Sequence, residues 1–222
     1  YNKMVITRYG QFGGIDMKTV SFLESGELKV KGLPDYYVNF IQEKHLKNAK
    51  TWAKFVEVFV DKDDSLDNGW RGEYWGKMMR GATFVYAYTR DDKLYLIMEN
   101  TVRDLLEMQD ADGRISTYSP ECEFSGWDMW GRKYVLLGMQ YFYEWCRDEQ
   151  LKKEIRVSMC RQADYIIDRV GEGKLPIDKT SAHWLGINAM SILEPIVRLY
   201  NLTKDKKYLG FAEHIVKTGF EG

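Results

Sequence analysis

Cysteine, histidine and proline are all scarce in this sequence: 222 residues hold three Cys and four Pro, and His45, His183 and His214 are the only three histidines. Three scattered cysteines are too few for a disulfide framework. No Cys-x-x-Cys or His-Glu-x-x-His spacing is present, so the usual signatures of a local metal site are missing, and no metal is expected in this segment. Charge of one sign is missing too. Lys and Arg number 32 against 33 Asp and Glu, for a net charge of −1. That balance leaves no electrostatic case for nucleic acid or an anionic membrane as partner. No apolar run approaches the roughly 20 residues that span a bilayer. There is no Gly-rich phosphate loop and no defensible Ser-His-Asp order. The chain starts at Tyr1 with no leader-like segment, a processed or trimmed start from which the compartment stays open.

Aromatic residues are plentiful, with seven Trp, fifteen Tyr and ten Phe. They fill a large core or line a sugar-binding cleft. Their spacing is more informative than their number. Trp70, Trp127 and Trp184 stand 57 residues apart, as do Tyr86, Tyr143 and Tyr200, and then Asp91, Asp148 and Asp205. Each tryptophan opens a long amphipathic segment, each tyrosine lies near its end, and each aspartate opens the next. A fixed period of this kind marks a repeat architecture.

The segments themselves read as helices. Trp70, Tyr74, Met78, Gly81 and Val85 recur at helical spacing, and Leu94, Ile97, Met98, Val102, Leu105 and Leu106 give an apolar stripe. Three hairpins result: 70–89 with 91–110, 127–147 with 148–170, and 183–203 with 205–218. Two earlier helices are expected over 35–47 and 49–60. Pro195 should kink the third inner helix, and Gly171 and Gly219 are placed just past helix ends as cap residues. Residues 114–118 read as a short extended piece. The expected organisation is an irregular or β segment over 1–34, then one helical domain over 35–222. The fold class is all-α: a helical-hairpin array forming part of an (α/α)6 toroid. Three clear hairpins are half of such a ring, so a fragment, an open arc or pairing with a second copy is implied.

Long loops gather at the end of the array where the inner helices start, and that rim is the expected site. It carries Trp70, Arg71, Glu73 and Lys77 from the first repeat, Trp127, Asp128, Arg132 and Lys133 from the second, and His183, Trp184 and Asn188 from the third. Flat apolar faces beside carboxylates and donors suit a sugar. Hydrolysis of a glycoside calls for two carboxylates about 5 to 10 Å apart, and Glu73 and Asp128 are the candidate pair. The competing account is packing, capping and surface pairing. Two other classes stay open: a non-catalytic module binding sugar or protein on its rim, and another toroid enzyme. An unsaturated uronyl hydrolase would use Asp128 as acid/base; a sugar epimerase is the other option.

Several stretches resemble one family. Trp70-Arg71-Gly72-Glu73-Tyr74-Trp75-Gly76-Lys77 is similar to the first inner helix of the β-L-arabinofuranosidase-like hydrolases, glycoside hydrolase family 127 and relatives. Residues 109–115, 127–134 and 192–200 are similar in the same order, so the likeness covers 69–218. It implies an (α/α)6 toroid and hydrolysis of an O-glycosidic bond in an oligosaccharide, with L-arabinofuranoside the substrate of characterised relatives. It also implies a zinc-bound cysteine nucleophile and a glutamate acid/base in the second half of the toroid. Cys122, Cys146 and Cys160 do not match that cluster, and no catalytic or metal residue carries over. The expected partners are an oligosaccharide and either the remaining half of the toroid or a second copy.

The rim reading has a direct test. If the tryptophans line a cleft, Trp127→Ala weakens sugar binding with little change in folding stability. A loss of about 3 kcal/mol or more in denaturant unfolding marks Trp127 as core instead.

Overall fold

In a computed structural model, the described residues are 29–65, 69–181 and 186–219. They form an all-α helical-hairpin array. Helices α1 (Leu33–Ile41) and α2 (Ala49–Glu57) come first, joined through a π-helical turn at Gln42–Leu46. The first repeat pairs α3 (Glu73–Thr89) with α4 (Asp92–Leu106), and the second pairs α5 (Asp128–Trp145) with α6 (Glu149–Ile167). The third comprises α7 (Ile187–Met190), α8 (Leu193–Thr203) and α9 (Lys206–Gly219). The N-terminal segment expected over 1–34 falls almost wholly outside the described residues.

The repeated aspartates are helix caps. Asp91 accepts from the Leu94 amide at 2.9 Å. Asp148 accepts from the Gln150 and Leu151 amides at 2.8 and 3.1 Å, and Asp205 from Lys207 N at 3.0 Å. Each carboxylate satisfies an orphan donor of the first turn and faces the positive end of the helix dipole. Burial alone would raise the Asp91 carboxyl, but the Lys47 ammonium at 2.7 Å and the Leu94 amide outweigh it and hold the group below its ordinary range.

Other expectations need correction. The third inner segment is not one helix: α7 ends at Met190, a turn intervenes, and α8 restarts at Leu193. Pro195 then lies in the first turn of α8, where its missing N–H goes unclaimed. Gly219 is the last residue of α9 rather than a residue beyond it, and α6 stops at Ile167, four residues before Gly171. The left-handed caps fall instead on Arg90 and Lys204, at φ 56° and 62°. Both are one period from Arg147, and their cations lie 5.8 and 5.7 Å from the rings of Tyr86 and Tyr200. A ring one turn back thus meets each basic cap residue. Residues 114–118, expected as a short extended piece, run buried and outside any helix.

Hairpin connectivity makes α3, α5 and α8 parallel neighbours, and α3 packs most extensively on α5. Glycine permits this contact. A Cβ on Gly76 would fall 1.9 Å from the Tyr134 carbonyl oxygen, and one on Gly138 would fall 2.9 Å from Gly76 Cα. Trp75, fully buried beside them, donates its indole N–H to Thr101 Oγ1 at 3.0 Å and so ties α3 to α4. Successive repeats are stitched by polar contacts as well. Arg147 donates to Asp92 and to the Tyr86 hydroxyl, Arg103 to Asp148 at 2.7 Å, and Lys207 to Asp164 at 2.9 Å.

Two substitutions in one helix separate backbone approach from helix propensity. Gly76→Ala should cost about 3 kcal/mol or more in urea unfolding, because the steric block is backbone that cannot rotate away. Gly81→Ala, with nothing within 4 Å of its Cβ, should stabilise by about 0.5–1 kcal/mol.

Candidate active-site face

The starts of α3 and α5 present one compact group. Glu73 begins α3 and is buried, and its carboxylate pairs with Lys77 Nζ at 2.8 Å, one helical turn on. The Trp130 indole N–H donates to Glu73 Oε2 from the neighbouring helix. Trp130 meets Tyr134 edge-on with ring centroids 5.1 Å apart, and Trp127 meets Trp130 at 6.1 Å. Two ammonium groups stand over these rings. Lys77 Nζ is 5.5 Å from the Trp130 centroid and 4.9 Å from that of Tyr134; Lys133 Nζ is 4.6 and 4.8 Å from the same two. Burial pushes the Tyr134 phenol above its usual range.

Glu73 and Trp130 are one period apart, so the same helix position supplies an acid on α3 and an indole on α5. Trp127, half-buried, belongs to the same face. Trp70 sits edge-on to Tyr74 at 5.0 Å, and Tyr74 lies 5.3 Å from Phe55 on α2. Spacing placed Trp70 and Trp127 at equivalent helix starts, and the two pack in different company.

Asp128 and Arg132 are turned elsewhere. Both are buried, Arg132 to 1% exposure. Asp128 accepts from Arg132 Nε at 3.0 Å, from the Phe124 amide at 2.8 Å and from the Ser116 hydroxyl. Arg132 also reaches Glu123 at 2.9 Å, and Glu123 takes Arg114 Nε at 2.9 Å and the Tyr165 hydroxyl at 2.8 Å. Burial would lower the Arg132 guanidinium, yet Asp128 and Glu123 raise it above its ordinary value. Burial, with the Glu123 carboxylate beside it, pushes the Tyr165 phenol up to about 12. This network ties the 110–126 loop to α5 and α6, and both Asp128 oxygens are engaged within it. Glu73 and Asp128 therefore hold separate sets of partners.

Asn188 is buried in α7, and neither of its amide atoms has a partner among the described residues. His183 and Trp184 lie outside the described residues. Sequence reading passed over Trp130 and Tyr134 as site residues. The available signal was that Trp130 repeats the position of Glu73 and that Tyr134 follows one turn later on the same face.

The family model of the β-L-arabinofuranosidase GH127 catalytic domain matches residues 26–221. The chain belongs to this family. Two solved structures share the fold of this GH127 chain. One is a GH127 β-L-arabinofuranosidase from Geobacillus stearothermophilus T6, with a TM-score of 0.61 at 15% identity over 83% of this chain and 31% of that one. The other is a GH127 β-arabinofuranosidase, with a TM-score of 0.56 at 17% identity over 82% and 29%. The chain thus spans about three-tenths of the length of the structures it matches. No curated protein matches it. Among the described residues no three His, Cys, Asp or Glu side chains converge to hold a metal, and the three thiols are free. The described residues do not fit a zinc centre.

The buried network has a measurable weight. Asp128→Ala leaves Arg132 buried without its main counter-charge and should cost about 3–5 kcal/mol in denaturant unfolding. A loss under 1 kcal/mol would show that the pair is dispensable to the fold.

Proposed function

We propose that this chain forms a sugar-recognising wall of a glycoside hydrolase acting on an O-glycosidic bond of a plant- or microbe-derived oligosaccharide. Family membership supports the reaction class. The name carried by the family and by one of the solved relatives favours a β-L-arabinofuranosyl linkage, and the other is named a β-arabinofuranosidase. The observation that carries the site is the Glu73 carboxylate, fixed from two helices by Lys77 and Trp130 beside the rings of Trp127, Trp130 and Tyr134. A sugar ring offers C–H faces that stack on indole and phenol, and hydroxyls that a fixed carboxylate accepts from. Because Glu73 is already held by two donors, it needs little reorganisation to receive a substrate hydroxyl. In that role it orients the sugar. Trp130 supplies a stacking face and holds the carboxylate in place.

The distinction between platform and core is open to titration calorimetry. Trp130→Ala and Glu73→Gln should each weaken binding of an L-arabinofuranosyl oligosaccharide by roughly tenfold, the loss of one hydrogen-bonded or stacked contact. Unchanged affinity in both variants, with folding intact, removes this face from substrate binding.

A further inference from the structure

The charges on this face are unequally matched. Glu73 is engaged by Lys77 and Trp130. Glu194, at the start of α8, pairs with Arg198 at 3.2 Å, and Arg198 also approaches Glu144 at 3.8 Å. Two cations on α3 and α5 make no ion pair among the described residues and lie over aromatic faces: Lys133 over Trp130 and Tyr134, and Arg80 over Tyr141 at 5.3 Å. Lys133 is half-buried and makes no ion pair or hydrogen bond among the described residues. A half-buried ammonium with no carboxylate in contact normally loses more in hydration than ring faces return. Burial first, and then the charges of Arg80 and Lys77, pull the Lys133 ammonium below its ordinary value, while Glu194 and Glu73 act against them. Arg80 and Lys77 thus act on Lys133 as like charges, Glu194 and Glu73 oppose them, and a negative group in contact with Lys133 would stabilise its ammonium.

Building on the sugar-binding reading above, we propose that this face selects an acidic oligosaccharide, with Lys133 as the anchor for the carboxylate of a uronic-acid residue. Lys77 and Arg80 flank that carboxylate, and Trp130 and Tyr134 take the ring that bears it. A half-buried ammonium against two aromatic rings discriminates more strongly between a carboxylate and a hydroxymethyl group than one in open water, because the attraction is less screened there. The acidic residue is a neighbour, within the same oligosaccharide, of the unit whose linkage is cleaved.

The test compares a uronic-acid disaccharide with the same disaccharide after reduction of its carboxyl groups, using the whole chain and titration calorimetry. The acidic form should bind roughly tenfold tighter at low salt, and the preference should shrink as salt is raised. Lys133→Gln should bring the ratio of the two affinities close to one, and Lys133→Arg should keep it above one. Equal affinities for the two sugars in the unmodified chain would overturn the uronate assignment and leave the sugar-binding reading standing. Binding of neither sugar, nor of the L-arabinofuranosyl oligosaccharide, would remove both. A preference that survives Lys133→Gln would place the anion on some other cation and overturn the role of Lys133.

Discussion

Everything on the candidate face depends on how closely α3 approaches α5. Gly76 and Gly138 remove the side chains that would hold the two backbones apart, and a Cβ at either would meet atoms at or inside 2.9 Å. At that separation the first turn of α3 and the second turn of α5 share one surface. Glu73 can then receive a hydrogen bond from Trp130, and Lys77 can lie over rings of the next helix. Were the helices a side chain further apart, the acid, the indoles and the two ammonium groups would be separate surface residues. Dense packing around Trp75, Met79, Leu136 and Met139, all at 0% exposure, fixes the approach against drift.

A second constraint keeps the long loop out of the way. Four charged groups, Arg114, Glu123, Asp128 and Arg132, interlock beside α6 and hold 110–126 against the rim. Burying such charges is unfavourable unless each finds partners of good geometry. Here the Phe124 amide, the Ser116 hydroxyl and the Tyr165 hydroxyl complete the set. The acidic stretch after α2 is drawn in as well, through Asp64 accepting from the Ser119 amide and hydroxyl, both at 2.8 Å. The loop is thereby a fixed wall beside α5 and α6.

The mismatch between charge and partner on that surface is local. Net charge of the chain is −1, and several of its buried or half-buried charges find partners, some of them across repeats, as Arg103 does with Asp148 and Lys207 with Asp164. Against that background a half-buried lysine left to two aromatic rings is an exception, and exceptions of this kind concentrate where a ligand completes the structure.

How far the sequence could be read depended on which interactions were periodic. The 57-residue step located the hairpins because capping is local: an aspartate two or three residues before a first-turn amide accepts from it in every repeat. The residues that carry the likeness to the GH127 family were legible for the same reason, as contiguous runs. Pro195 announced an interruption, and its outcome, a restart at Leu193, followed from where the missing N–H is harmless. What the sequence could not decide was direction. Asp128 and Glu73 both open inner helices, yet one is claimed by Arg132 and the 110–126 loop and the other by a tryptophan across the α3–α5 contact. Trp70 and Trp127 are equivalent by period and differ by neighbour. Repeat position is determined along the chain, where spacing alone carries it. The partner a side chain meets is set by the closeness of helix packing and by competition among nearby charges, and those exist only once the tertiary structure has formed.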